Sequence, residues 1–135
     1  MSVSQPIIVT EQDIRRLSEV VSLYGEIEEE GTEALQRELD RAVVVAPSAV
    51  GASVVTMNSH VICRDDQGTT REVFIVYPKD ANLATGRVSV LAPLGHALLG
   101  ARVGDRVEVV GRGRSKFWTV EEVRYQPEAA GDYDL

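Results

Sequence analysis

Glu26, Glu28, Glu29 and Glu30 crowd into five consecutive positions, with Glu33 just beyond. Carboxylates this close could share a hard cation such as Mg²⁺, which prefers oxygen ligands. They could equally be a solvated tip, because charged side chains collect where a chain is exposed and Glu near a helix start complements its dipole. His60 and His96 have no Cys or His at metal-ligand spacing, so no metal site is expected at either. Ser89 and Ser115 lack evident His and Asp companions for nucleophilic catalysis. Residues 111–114, GRGR, form a basic turn between strands rather than a strand-to-helix phosphate loop. Cys63 sits within HVIC and reads as a small buried hydrophobe. No catalytic residue, metal or cofactor is expected.

The glutamates must be carried by a helical hairpin. Thr10 followed by Asp13 resembles a capping box, with Asp in place of the usual Glu. Ile14, Leu17, Val20, Val21 and Tyr24 then recur at helical spacing, and Gly25 is a plausible stop. Thr32 is the expected cap of a second helix with the stripe Leu35, Leu39, Ala42 and Val43, ended by Pro47. Two helices of 12 to 14 residues are each only about 20 Å long and need each other's apolar stripe to be stable.

Beyond residue 54 the period changes to two. Residues 54–57, 61–64 and 72–77 (EVFIVY) read as strands, with hairpin-turn chemistry in DDQG at 65–68. Residues 87–91 alternate again. Pro93 opens a short helix that Gly100 closes, and two strands follow, at 106–110 and 116–125, before an irregular tail. The expected fold is α+β. A short N-terminal antiparallel helical hairpin (coiled coil), residues 1–46, precedes a twisted antiparallel sheet with one short helix, residues 47–135.

Composition narrows the function classes. The 135 residues are 44% apolar, enough for a core without disulfides, and the single cysteine suits a reducing cytoplasm. No apolar run reaches the ~20 residues of a membrane helix, and the N-terminus lacks the pattern of a signal peptide, so a soluble cytoplasmic protein is expected. The net charge of −7 argues against nonspecific nucleic-acid binding. Residues 1–46 hold ten acidic and four basic side chains, so a partner with a basic surface would be steered to that end.

Residues 91–105, LAPLGHALLGARVGD, fix a proline, glycines and an aspartate in a short span. The pattern, carried by Ala92, Pro93, Leu94, Gly95, Ala97 to Gly100 and Val103 to Asp105, resembles the C-terminal FKBP-like domain of the Gre transcript-cleavage factors. Residues 39–61 and the tail YQPEAAGDYDL are similar to the regulators of nucleoside diphosphate kinase (Rnk), a Gre branch with a shortened hairpin. The resemblance implies binding to core RNA polymerase at the mouth of its secondary channel, in competition with Gre-type factors. It also implies an indirect influence on nucleoside diphosphate kinase levels. Carried over by motif, the rim contact is Leu91, Ala92 and Pro93, with Leu94 and His96 beside it in the short helix. Ala92 stands where the pattern usually has Ser, which removes a hydroxyl contact.

The expectation is therefore a non-catalytic regulator that is monomeric, without sequence-specific DNA binding and without a membrane partner. The alternatives are a cleavage factor acting through the tip carboxylates and a direct protein regulator of the kinase. The Gre tip motif is not reproduced, and a hairpin of about 20 Å stops short of a distant active centre. FKBP-like topology does not bring isomerase activity with it. That activity needs an aromatic pocket, for which only Phe74, Tyr77, Phe117, Trp118 and Tyr125 are available, with Phe117 and Trp118 on opposite strand faces.

Overall fold

A computed structural model describes residues 6–111 and 113–132. Strand β1 (Ile8–Thr10) leads directly into helix α1 (Glu11–Tyr24), whose start is fixed by Thr10: its Oγ1 accepts the Asp13 amide at 3.0 Å. Leu17 and Val20 are buried, with Ile14, Val21 and Tyr24 packed beside them, as the helical spacing requires. The second helix, α2 (Glu29–Asp40), begins three residues before the expected cap. Thr32 is inside it and buried, its hydroxyl donating back to the carbonyls of Glu28 and Glu29. The hydroxyl satisfies itself along the helix, and acidic residues in the first turn suit the dipole without a side-chain cap.

Nor does α2 run on to Pro47. It ends at Asp40, and β2 (Val43–Val45) pairs in parallel with β1, Ile8 opposite Val43 and Thr10 opposite Val45. Three successive β-branched valines favour extended backbone over another helical turn once a partner strand is available.

The second part is a five-stranded sheet in the order β5-β4-β3-β7-β6. β3 (His60–Asp65) and β4 (Thr70–Val76) form the expected hairpin. Asp65 Oδ1 accepts the amides of Gln67 and Thr69, and Gly68 takes φ +86°. β7 (Ser115–Tyr125) pairs antiparallel with both β3 and β6 (Arg106–Val110), with register irregularities along β3 that increase its twist.

Two expectations need correction. The sheet is mixed: β5 (Arg87–Ser89) joins β4 in parallel, because two 3₁₀ turns at Pro78–Asp80 and Leu83–Thr85 carry the chain back far enough for Arg87 to lie opposite Phe74. Residues 54–57 form no strand beyond one bridge, Val54 to Arg102; the chain turns there, with Asn58 at φ 66°. The tail carries a turn of helix, α4 (Pro127–Ala130), anchored by buried Gln126, whose amide donates to the carbonyls of Gly51 and Val54.

The hairpin does not stand apart from the sheet. Leu17, Leu35 and Leu39 belong to the same hydrophobic cluster as Val61, Val73, Ile75 and Leu98. Leu98 lies on the short helix α3 (Pro93–Leu98), against which α2 packs.

Candidate docking surface

The loop from β5 into α3 is tightly built. Leu91 N–H donates to Ser89 Oγ at 3.1 Å, and Ala92 N–H donates to the Ser89 carbonyl at 2.9 Å. Ser89, which the sequence offered only as a nucleophile without companions, is a loop fastener. Pro93 occupies the first turn of α3, where its missing N–H costs nothing. Gly95 is forced: a Cβ there would lie 2.0 Å from the Ser89 carbonyl oxygen and 2.9 Å from Val90 Cα.

These constraints divide the expected docking residues. Leu91 and Leu94 point into the core, 3% and 7% exposed. Pro93 is exposed, while Ala92 and His96 are half-buried. Of the expected docking residues, those whose side chains reach the surface are therefore Ala92, Pro93 and His96. Burial, aided by the nearby Arg37 cation, pushes the His96 imidazole below its ordinary pKa, so it is predominantly neutral at pH 7.

The tip lies beside this loop. Residues 25–28 turn the chain, with the Ile27 and Glu28 amides both donating to the Tyr24 carbonyl. Glu26, Glu28, Glu29 and Glu30 are all exposed, and their side chains make no hydrogen bond or ion pair among the described residues. Among those residues no group of three His, Cys, Asp or Glu is arranged to hold a metal. Leu23 and Ile27, 73% and 77% exposed, flank the carboxylates. Gly31, one residue after Glu30, is pressed against the loop, where a Cβ would sit 2.4 Å from the Leu91 carbonyl oxygen. The carboxylates and the docking loop thus share one end of the molecule.

The other candidates are dispersed. His60 Nε2 lies 2.8 Å from Glu72 Oε1, and its ring stacks on Phe74 with centroids 4.2 Å apart. Phe117 lies under the Arg106 guanidinium, Tyr77 is buried against α1 and Trp118 is buried on the other face of β7. The aromatic residues thus serve separate contacts.

Asp13 was missed as anything but half of a capping box. Its amide serves Thr10, but its carboxylate is 2% exposed and turned away from the helix start. Oδ2 accepts the Met57 amide at 3.2 Å, and Oδ1 accepts the Tyr77 hydroxyl at 3.5 Å, tying α1 to the sheet. Burial raises its pKa from 3.8 to about 6, with the Glu128 carboxylate adding to the effect. The Met57 amide, Arg16 and Tyr77 oppose it. The signal available in the sequence was the short side chain, since Asp at that position reaches back to the cap less readily than Glu.

Comparison with known proteins decides the family. The family model for the C-terminal part of the transcription elongation factors GreA and GreB matches residues 50–125. The chain belongs to the GreA/GreB family. A second model, the Rnk N-terminus, matches residues 5–45 and places the chain in the Rnk branch of that family. The Escherichia coli K12 regulator of nucleoside diphosphate kinase is 46% identical over 106 residues, covering 76% of this chain and 77% of that one. The elongation factor GreA of Rhodospirillum rubrum is 37% identical over 86 residues, 63% of this chain but only 55% of its own length. Among solved structures, a GreA/GreB elongation factor from Nitrosomonas europaea superposes with a TM-score of 0.75 at 35% identity, covering 88% of this chain and 99% of that one. The helical hairpin and curled mixed sheet are thus a Gre-type fold. Among the described residues no helix is long and apolar enough to cross a membrane.

Proposed function

We propose that this chain is a non-catalytic, cytoplasmic transcription regulator that binds core RNA polymerase at the secondary-channel entrance. There it competes with Gre-type factors and affects nucleoside diphosphate kinase levels indirectly. The part spanning residues 47–135 docks through Ala92, Pro93 and His96, and the hairpin of residues 1–46 sits at the channel mouth. The observation that carries this reading is Gly31 packed on the Leu91 carbonyl. Glu28 to Glu30 lie within a helical turn of Gly31, about 5 Å along the axis. A protein docked through that loop therefore holds its carboxylates at the rim, and helices of 14 and 12 residues extend no further than about 21 Å.

The test is a competition assay on core polymerase, run beside cleavage of a backtracked transcript. Binding that is displaced by a Gre factor, with no cleavage, is the expected result. Absence of binding to polymerase removes the proposal altogether. Cleavage that disappears in the triple variant Glu28→Ala, Glu29→Ala, Glu30→Ala would put the cleavage-factor reading in its place.

Pro93→Ala separates docking from folding. Pro93 is exposed and makes no backbone donation, so the variant should shift the melting temperature by no more than a few degrees, about 1 kcal/mol. Its affinity for polymerase should fall several-fold. Equal damage to melting temperature and affinity would make the proline a structural residue only.

A further inference from the structure

A second surface borders the docking helix. An open groove of about 540 Å³ runs between Leu94 of α3 and the sheet, floored by Leu94, Val109 and Trp118. Arg71 on β4, Arg114 in the turn before β7 and Lys116 on β7 surround it, and none of the described lining residues is a carboxylate. In a chain of net charge −7 that concentration of cations runs against the composition. Arg71 and Arg114 are exposed, and their side chains form no ion pair among the described residues. Lys116 lies 5.0 Å from the centre of the Trp118 ring and 3.0 Å from Asp65 Oδ2. The Asp65 side chain is only 2% exposed and its other oxygen is taken up by two amides, so it stays paired with the lysine and offsets much of that cation's charge, which leaves Arg71 and Arg114 as the groove's uncompensated cations among the described residues.

We infer that this groove receives acidic side chains of the protein on which the chain docks, with an apolar side chain of the same segment resting on half-buried Val109 beside the edge of Trp118. The inference rests on the proposed docking and adds the chemistry of the partner's surface. Two exposed arginines and an ion-paired lysine around an apolar floor suit a carboxylate-bearing protein segment, whose aliphatic parts would cover Val109 while its charges meet the arginines. Continuity carries the same point. Leu94 is shared between the docking helix and the groove, so a partner seated on Ala92 and Pro93 extends naturally onto the cations. The tip carboxylates and the groove cations then both adjoin the loop, through Gly31 on the Leu91 carbonyl and through Leu94. Such a pattern sets the orientation of docking as well as its strength.

Trp118 is the chain's only tryptophan, so its fluorescence reports on the groove. The probes are a synthetic helical peptide with Glu on one face and Leu beside it, inorganic phosphate, and core RNA polymerase. The peptide should change Trp118 emission saturably, and the double variant Arg71→Glu, Arg114→Glu should abolish that change while leaving the melting temperature unaltered. The same variant should weaken polymerase binding about tenfold or more and flatten its dependence on salt. Arg15→Glu on the exposed side of α1 should leave both readouts as they were. A silent peptide together with charge-reversed protein that binds polymerase within twofold of wild type would overturn the inference. So would saturation by phosphate with no response to the peptide, which would mark a small-anion site. If the wild-type chain fails to bind polymerase, the docking proposal falls, and the peptide titration alone decides the groove.

Discussion

Asp13→Asn is expected to stabilise the protein by about 2 kcal/mol at pH 8 and to remove much of its pH dependence between about pH 4 and 7. The carboxylate is buried, and its pKa is raised from 3.8 to about 6, chiefly by loss of solvent. A displacement of that size corresponds to about 3 kcal/mol between the charged and neutral forms. The folded state binds the proton more tightly than the unfolded chain. The stabilisation it provides is therefore complete below pH 3.8 and is lost as pH rises through about 6. At pH 8 the folded protein holds an ionised group with little solvent around it. Asparagine keeps an acceptor for the Met57 amide and presents its NH₂ to the Tyr77 oxygen, so both contacts survive without the charge. Loss of a negative charge near the start of α1 offsets the gain by about 0.5 kcal/mol. His96 opposes Asp13 across the same range, because its lowered pKa makes the fold less stable as pH falls below 6.5. The decisive quantity is thus the difference between variant and wild type in urea unfolding at several pH values, where His96 cancels. Parallel pH profiles for the two proteins would show that Asp13 carries no such cost.

Much of this structure was legible from periodicity, and what was not has a common cause. The stripe Leu17, Val20, Leu35 and Leu39 is a local pattern, and it emerges as the buried face of both helices. The EVFIVY run and the DDQG turn are equally local and form the β3–β4 hairpin. Failures occur where a distant partner decides. Val43 continues a helical stripe by spacing, yet Val43 to Val45 become strand because Ile8 to Thr10 lie alongside. The parallel placement of β5 depends on the path of residues 77–86, whose turns leave no trace in hydrophobic alternation. Asp13 satisfies a local rule with its backbone and a tertiary one with its carboxylate, and only the first can be read from four residues.

The docking motif shows the same division within a few residues. Its proline and glycines stand out in the sequence, but their reasons differ. Pro93 is exposed, whereas Gly95 is a site where one chain segment crosses another at backbone distance. Leu91 and Leu94 fill the core beneath the loop that a partner would touch. A family signature of this kind records how the surface is built at least as much as what it touches. The groove beside Leu94 was only half legible: Arg114 belongs to the basic GRGR turn and Lys116 follows it, but nothing in the sequence brings Arg71, Leu94 and Val109 to that turn.

Gly95→Ala is expected to lower stability by about 3 kcal/mol, roughly a 10 °C fall in melting temperature for a domain of this size. The added methyl would meet the Ser89 carbonyl oxygen at 2.0 Å and Val90 Cα at 2.9 Å, both fixed backbone atoms. The Ser89 carbonyl also accepts the Ala92 amide, and Val90 N–H bonds to the Val76 carbonyl, so the β5 end cannot retreat without breaking its own hydrogen bonds. The helix must move instead. α3 carries Leu94 and Leu98, which are 7% and 0% exposed in the core, and a displacement of an ångström or more would open voids around both. Because α2 packs against α3 and Gly31 rests on the Leu91 carbonyl, the shift should also loosen the hairpin. Hydrogen exchange should therefore show protection lost in residues 29–40 as well as 93–98. Calorimetry and exchange on the same sample provide the check. A melting temperature within about 2 °C of wild type would mean that the loop can adjust to a methyl group, and the close crossing of α3 over β5 would lose its structural importance.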